Sequence, residues 1–188
     1  KADELSAYIE DTYNPHKSWQ FYGGLHFARF NVGSTRYGNT QPRLSAIYKP
    51  GSRDRLTLSY TRMNQYVHLL VNPGIGLPSN LWVPSTDEIR PESADQVSLS
   101  YSRKLTESVN LTLSGYYKQM DYLLEYTSTL DLISPGGTNQ SQVPLQEDND
   151  WQKRVEIGES TSKGLELQLQ KNAGKWRGWA TYTLAKTT

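Results

Sequence analysis

The stretch QVSLSYSRKLTESVNLTLS, residues 96–114, decides the fold class of this chain. Val97, Leu99 and Tyr101 alternate with polar side chains, and the alternation resumes after a short polar interruption at residues 105–108. A period of two places every second side chain on the same face of an extended strand. The interruption is short enough to reverse the chain direction. The stretch therefore predicts two antiparallel strands, each with one apolar and one polar face.

The same alternation recurs on both sides of this stretch. Upstream, Leu56, Leu58 and Tyr60 alternate with hydroxyl side chains, and downstream Leu165 and Leu167 alternate with Glu and Gln. These segments predict an all-β fold, an antiparallel up-and-down meander of about eight strands. The predicted strands cover residues 4–13, 19–31, 41–49, 54–69, 95–104, 109–126, 157–171 and 176–187.

The connections between these predicted strands differ in length at the two ends of the sheet. The short, turn-rich connections are residues 14–18, 50–53, 105–108 and 172–175, and the longer ones are residues 32–40, 70–94 and 127–156. Strict alternation of short and long connections is expected of an outer-membrane β-barrel, which has short periplasmic turns and long extracellular loops. A soluble sandwich or barrel shows the same strand pattern, but two connections above about twenty residues are unusual in a compact domain.

The composition is compatible with a membrane barrel and excludes several other classes. Thirteen Tyr and five Trp against three Phe make the aromatic content amphipathic, as at a membrane–water boundary. The mean hydropathy is −0.69, which argues against a helical membrane protein but not against strands that average polar. Twenty basic and nineteen acidic residues leave a net charge of +1, so nucleic acid is not an expected partner. The absence of Cys excludes thiolate chemistry and disulfides.

Residues that could carry catalysis are sparse in the sequence. The three histidines, His16, His26 and His68, have no partners at metal-ligand spacing, and each is interpreted as a surface or lumen histidine. Nucleophile motifs such as G-x-S-x-G are absent, and no nucleophile–base pair is recognisable. We therefore expect no enzymatic activity, no catalytic residues, no cofactor and no metal site.

Trp82 lies in a predicted loop, in the segment Leu81-Trp82-Val83-Pro84. It either anchors this loop onto the ends of the strands or is exposed to contact a ligand. Pro78 and Pro84 already stiffen the segment, which favours the anchor.

The longest predicted connection carries a group of acidic residues. Oxygen-rich clusters of this kind can bind Ca²⁺, but the spacing does not match an EF-hand, so solvated loop charge is the favoured interpretation. Together with the tryptophan loop, these acids form the candidate ligand-facing set. Its members are Asn80, Trp82, Glu147, Asp148 and Asp150.

Several segments carry a family resemblance. They are GLPSNLWVPST at residues 76–86, IRP at 89–91, QVSLSY at 96–101, YYKQM at 116–120, SKGLE at 162–166 and GWATYTL at 178–184. These segments resemble the barrel of TonB-dependent receptors from Bacteroidetes-type bacteria. The resemblance extends over most of the chain and points to the superfamily without identifying a ligand.

The resemblance implies a barrel of about 22 strands in the bacterial outer membrane, with an N-terminal plug in its lumen. It further implies that ligand binds from outside and that energy arrives from the TonB complex through the plug. On this interpretation residues 1–188 are a single segment from the C-terminal part of the barrel, without plug or TonB box. The ligand would be an unidentified siderophore, cobalamin, glycan or peptide.

Two further expectations follow from the barrel interpretation. The lumen face would carry Thr57, Ser98, Ser100, Thr112 and Gln168. An isolated segment would leave two unpaired sheet edges and a lipid-facing surface in water, so self-association is expected. The alternative is a soluble β-sandwich or lipocalin-like binding module, which would be monodisperse without detergent.

Overall fold

The computed structural model describes residues 2–70, 81–126, 152 and 155–188. Ten strands lie in this part of the chain. They are β1 (Ala2–His16), β2 (Trp19–Val32), β3 (Thr35–Tyr48), β4 (Asp54–Gln65), β5 (Val67–Leu70), β6 (Leu81–Pro84), β7 (Glu92–Thr106), β8 (Val109–Tyr126), β9 (Val155–Lys171) and β10 (Gly178–Thr187). The described residues contain no helix long and apolar enough to cross a membrane.

Eight of these strands form one antiparallel sheet in the order β1-β2-β3-β4-β7-β8-β9-β10. Each strand pairs with the one before it in the chain, except that β7 pairs with β4, because β5 and β6 form a separate hairpin. The prediction of an all-β, up-and-down antiparallel meander is therefore confirmed.

The strand register separates the side chains into two faces. Leu58 is paired with Leu99, and Tyr101 with Leu113, so these residues share what we call the apolar face. The other face, which we call the polar face, carries the predicted lumen residues and their neighbours. The pairs on it include Thr57↔Ser100, Ser59↔Ser98, Ser100↔Ser114, Ser102↔Thr112 and Thr112↔Gln168.

Hydrogen bonds between hydroxyl groups run across the polar face. Ser100 and Ser114 are joined at 2.9 Å, and Ser102 and Thr112 at 3.1 Å. On the apolar face, by contrast, large side chains such as Leu99 remain half exposed. A sheet that exposes apolar side chains on one face and pairs hydroxyl groups across the other matches a barrel wall between lipid and lumen.

The predicted loop at residues 32–40 is wrong. Strands β2 and β3 remain paired up to Val32↔Thr35, so the connection is only Gly33-Ser34. Gly33 has φ +56°, a left-handed conformation that glycine adopts without a Cβ penalty, and this permits the tight turn. Gly38 and Asn39 suggest a loop by composition, yet both lie within β3. The strict alternation of short and long connections therefore fails at this hairpin.

The predicted strand 54–69 and the predicted loop 70–94 are also corrected. Strand β4 ends at Gln65, and residues 67–70 belong to the β5–β6 hairpin, which pairs Val67 with Pro84. Strand β7 begins at Glu92 rather than at residue 95. Most of the third long connection, 127–156, lies outside the described residues, and β9 begins at Val155.

Candidate functional site

The β5–β6 hairpin packs against the polar face of the main sheet. Just before β5, the ring of Tyr66 stacks on Phe30 with ring centroids 5.0 Å apart. The amide of Asn39 donates to the Tyr66 hydroxyl at 3.0 Å. The register places Phe30 and Asn39 on the same face as Thr57. Both lie near the Gly33-Ser34 turn, so the hairpin covers the polar face at the end opposite the short turns at residues 17–18, 49–53 and 107–108.

This hairpin has a buried side and an exposed side because its strands alternate. His68 is paired with Val83, and both are buried together with Leu70. On the opposite side, Leu69 is paired with Trp82, and the Trp82 side chain is 63% exposed. The apolar core of the described residues consists of Leu70 and Val83 of the hairpin with Ala28, Phe30, Tyr66 and Ile89.

A buried histidine connects the hairpin to the sheet. The Nδ1 atom of His68 lies 3.0 Å from Oε1 of Glu92, and its Nε2 atom lies 2.9 Å from Oγ of Ser85. A carboxylate only accepts, so Nδ1–H donates to Glu92; at Nε2 a neutral ring accepts the Ser85 hydroxyl proton, whereas a protonated ring donates to the Ser85 oxygen. The same Glu92 oxygen also accepts the backbone N–H of Leu124 in β8, at 3.4 Å. One carboxylate therefore joins strands β5, β7 and β8.

The order Ser–His–carboxylate is also that of hydrolase triads, but burial rules out that chemistry here. The Ser85 side chain has 0% exposure and His68 has 1%, so a substrate carbonyl cannot reach the Ser85 oxygen. Ser85 and His68 lie at the distance of a nucleophile–base pair, so the expectation that the chain contains no such pair is wrong. The arrangement is suited to fixing the hairpin in place rather than to cleaving a bond.

The segment that follows β6 is held by further hydrogen bonds. The Tyr37 hydroxyl donates to the carbonyl oxygen of Thr86, and the Thr86 N–H donates to the carbonyl of Ile89 at 2.9 Å. The Thr86 hydroxyl donates to Oε1 of Gln152 at 2.9 Å, which links this segment to the connection between β8 and β9. Burial raises the pKa of the Tyr66 phenol, so this ring stays neutral and accepts the Asn39 amide.

An irregular position in β8 lies beside the same segment. Tyr122 has φ +60° at a bulge between Met120 and Leu123. The guanidinium of Arg90 lies 5.6 Å from the Tyr122 ring centroid, and its Nη1 donates to the Tyr122 hydroxyl at 3.3 Å. A non-glycine residue with this backbone conformation persists where surrounding contacts hold it, and Arg90 supplies one such contact.

Two concavities lie on opposite faces of the sheet. One of about 740 Å³ is lined on the apolar face by Phe21, Leu44 and Leu58, so it belongs to the lipid-facing side. The other, of about 340 Å³, is lined on the polar face by Arg43, Lys118 and Glu92 among others. The second shares Glu92 with the histidine network and is the concavity next to the hairpin.

Of the predicted ligand-facing set, the structure describes only Trp82, and it does not test ligand contact by any member. Trp82 lies in β6 rather than in a loop, and its exposure shows that the anchoring role expected for it is wrong. The anchor is formed by its neighbour Val83 and by His68, because alternation points them inward. Asn80, Glu147, Asp148 and Asp150 lie outside the described residues, so ligand contact by this set stays a prediction.

The three histidines differ in position and burial. His16 is exposed at the end of β1 rather than in the turn, and His26 lies on the polar face with a buried Nδ1 that has no hydrogen-bond partner in the described structure. The prediction for His68 as a surface or lumen histidine is wrong, since it is buried. Ser85 and Glu92 were not identified from the sequence, because they lie 17 and 24 residues from His68. Among the described residues, no group of three or more His, Cys, Asp or Glu is placed to hold a metal.

Comparison with solved structures shows the same fold in outer-membrane receptors. The FrpB iron transporter of Neisseria meningitidis matches with a TM-score of 0.66 and 13% identity, over 99% of this chain and 25% of that chain. The alcaligin outer-membrane receptor FauA of Bordetella pertussis matches with a TM-score of 0.62 and 14% identity, over 100% of this chain and 30% of that chain. The ferripyoverdine receptor of the outer membrane of Pseudomonas aeruginosa matches with a TM-score of 0.63 and 14% identity, over 99% of this chain and 23% of that chain.

The chain thus spans between 23% and 30% of the length of these three structures. No curated protein sequence matched it. A family model described as "TonB dependent receptor-like, beta-barrel" matches residues 1–188, the whole of the sequence given. With the meander, the two-faced sheet and the structural matches, this shows that the chain belongs to the TonB-dependent receptor β-barrel family of the outer membrane.

Proposed function

We propose that this chain is part of a receptor that imports a ligand across the outer membrane, and that the β5–β6 hairpin forms part of its ligand-facing surface. The observation that carries the proposal is the packing of Tyr66 on Phe30 and of His68 on Glu92, which folds the hairpin over the polar face. In a membrane barrel the polar face lines the lumen. An element fixed on that face at the long-connection end narrows the mouth through which a ligand enters.

The exposed side of the hairpin has the composition of a contact surface. Trp82 and Leu69 are opposite each other, and Val67 lies on the same side. A large aromatic ring on a fixed strand offers contact area at low conformational cost, which is why Trp is frequent among residues that dominate binding. We therefore keep Trp82 as the principal ligand-facing residue, with Asn80, Glu147, Asp148 and Asp150 as further members of the set.

The ligand stays within the classes named from the sequence: siderophore, cobalamin, glycan or peptide. Two of the matched structures are named for iron or a ferric compound, which makes ferric chelates the first class to test. The cations Arg43 and Lys118 on the polar face would favour an anionic chelate. We further propose that coupling to TonB occurs through a plug domain and that residues 1–188 are one segment of the barrel.

Two finer proposals rest on the residues themselves. The segments at 76–86 and 178–184 support a parent of the Bacteroidetes type. The burial of Ser85 supports the absence of enzymatic activity, since the one nucleophile–base pair found in the described residues cannot meet a substrate. The soluble binding module proposed as the alternative is disfavoured, because Leu58 and Leu99 on the apolar face are each 50% exposed.

The topology can be tested in the full-length parent receptor, expressed in its native host with any other Cys removed. Single cysteines replace Asp87, after the hairpin, and Lys175, in a short turn; both positions are exposed. Intact cells are treated with a membrane-impermeant maleimide. We expect labelling of Asp87→Cys in intact cells and labelling of Lys175→Cys only after permeabilisation. Equal labelling of the two, or recovery of the protein in a soluble fraction, would exclude the spanning barrel.

A further inference from the structure

Two lysines face each other on the apolar face of the sheet. Lys163 in β9 is directly paired with Lys186 in β10, and on its other side Lys163 is paired with Tyr117 in β8. Two residues along the strands, on the same face, Leu165 is paired with Leu184; these leucines are 57% and 60% exposed. Both lysines are themselves exposed. The apolar run of β9 on this face therefore ends at a pair of cations.

The height of this pair in the barrel follows from strand geometry. Eight residue steps separate Lys163 from Lys171, the last residue of β9, at the short-turn end. With a rise of about 3.4 Å per residue and a strand tilt of about 40°, the pair lies about 21 Å along the barrel axis. The apolar band of an outer-membrane barrel is about 25 Å tall, so the flexible lysine side chains reach its far boundary. Tyr117 lies at the same level, where aromatic girdles occur.

Within the described residues of β8, β9 and β10, no adjacent side chain on this face balances the charges of the pair. Directly opposed residues of an antiparallel pair have Cβ atoms about 4.5–5.5 Å apart, and like charges there are destabilising. The adjacent positions on this face, Gln119 and Thr161 above and Leu165 below, are uncharged. The ion pairs formed by the described residues, Arg62–Asp95 and Arg103–Asp54, do not include either lysine, and neither does the contact between His68 and Glu92.

We propose that Lys163 and Lys186 together bind a phosphate group of a membrane lipid headgroup, in the leaflet on the long-connection side. A phosphate between two ammonium groups removes their repulsion and accepts charge-assisted hydrogen bonds from both. The acyl chains of the same lipid lie against the exposed leucines below, and the Tyr117 ring lies beside the headgroup. This site is separate from the proposed ligand-facing surface, since it lies on the opposite face of the sheet and depends only on the barrel spanning the membrane.

The test uses the purified full-length parent receptor in detergent, titrated with phosphatidic acid and followed by native mass spectrometry. Diacylglycerol with the same acyl chains serves as the phosphate-free probe. We expect Lys163→Gln with Lys186→Gln to weaken phosphatidic acid binding on the order of thirtyfold, and to leave diacylglycerol binding unchanged. The charge-preserving pair Lys163→Arg with Lys186→Arg should bind within about threefold of the unmodified receptor.

The matched control removes two exposed cations from the other face, with Arg55→Gln and Lys104→Gln. This pair should leave phosphatidic acid binding unchanged, because both residues lie on the polar face, Arg55 opposite Ser102 and Lys104 opposite Asn110. Unchanged binding by the Lys163→Gln, Lys186→Gln receptor, or an equal loss in the control, would overturn the proposal. If that double variant does not fold, Lys186→Gln alone should weaken binding on the order of fivefold. The maleimide pattern of Asp87→Cys and Lys175→Cys separates this outcome from failure of the barrel topology.

Discussion

Replacing His68 by alanine should release the β5–β6 hairpin from the sheet without unfolding the barrel. The substitution removes the hydrogen bonds at 3.0 Å to Glu92 and at 2.9 Å to Ser85, and leaves the fully buried Ser85 hydroxyl without its partner. It also leaves a cavity, because His68 is 1% exposed. The strand ladders of the main sheet do not involve His68, so the opening is expected to be local.

The magnitude follows from the two hydrogen bonds and the burial. A hydrogen bond to a charged group contributes about 1.5–3 kcal/mol, and an unsatisfied buried hydroxyl costs about 1–3 kcal/mol. The Glu92 side chain is 21% exposed, so the contribution of its hydrogen bond to stability lies at the lower end of the range for a charged group. We therefore expect a local loss of about 3 kcal/mol or more, which raises the open population of the hairpin on the order of 100-fold.

The assay places a single cysteine at Val83, which is 3% exposed, in the full-length parent receptor and measures the rate of maleimide labelling. We expect this rate to rise on the order of 100-fold with His68→Ala, because labelling requires the hairpin to open. His16→Ala, the same substitution at the exposed end of β1, should leave the rate unchanged. An unchanged rate with His68→Ala would refute the view that this network fixes the hairpin.

Two further predictions concern the contact surface and the packing of the sheet. Trp82→Ala should weaken ligand binding by the full-length parent on the order of tenfold or more, whereas Trp176→Ala, an exposed tryptophan near the short turns, should not change the dissociation constant. Gly164→Ala would place a Cβ 2.7 Å from a ring carbon of Tyr116 and should lower the thermal midpoint of the parent, at a cost of about 1–3 kcal/mol. Gly158→Ala has nothing within 4 Å and should leave the midpoint nearly unchanged; equal midpoints would contradict this packing.

The strands of the main sheet could be predicted from sequence because each has one apolar face and one polar face. The period-two pattern placed β2 at residues 19–31 and β8 at 109–126, and the structure has Trp19–Val32 and Val109–Tyr126. The predicted strand bounds are wrong where composition suggests a loop. Gly38 and Asn39 lie in an extended strand, and the turn depends on the left-handed conformation of Gly33.

The site was much less predictable than the sheet. Strands β5 and β6 have four residues each, too few for alternation to distinguish them from a loop. The partners of His68 lie 17 and 24 residues away and on different elements, so their meeting depends on how the hairpin folds back. No spacing rule captures such a contact. Trp82 was identified as a residue of interest, but its direction depended on a strand pairing that the sequence did not indicate.

The hydrogen bonds of Glu92 restrict how the connection after β4 can be exchanged between barrels. Its Oε1 atom accepts hydrogen bonds from His68 and from the Leu124 N–H, and Tyr66, just before the hairpin, stacks on Phe30 of β2. Residues 66–70 and 81–91 are therefore not an independent unit, because their contacts belong to four other strands, β2, β3, β7 and β8. A transfer of this connection into another receptor scaffold would have to include Phe30, Tyr37, Asn39, Glu92 and the β8 bulge. Chimaeras that omit these residues would contain the hairpin sequence but would lack the contacts that fix the hairpin on the polar face.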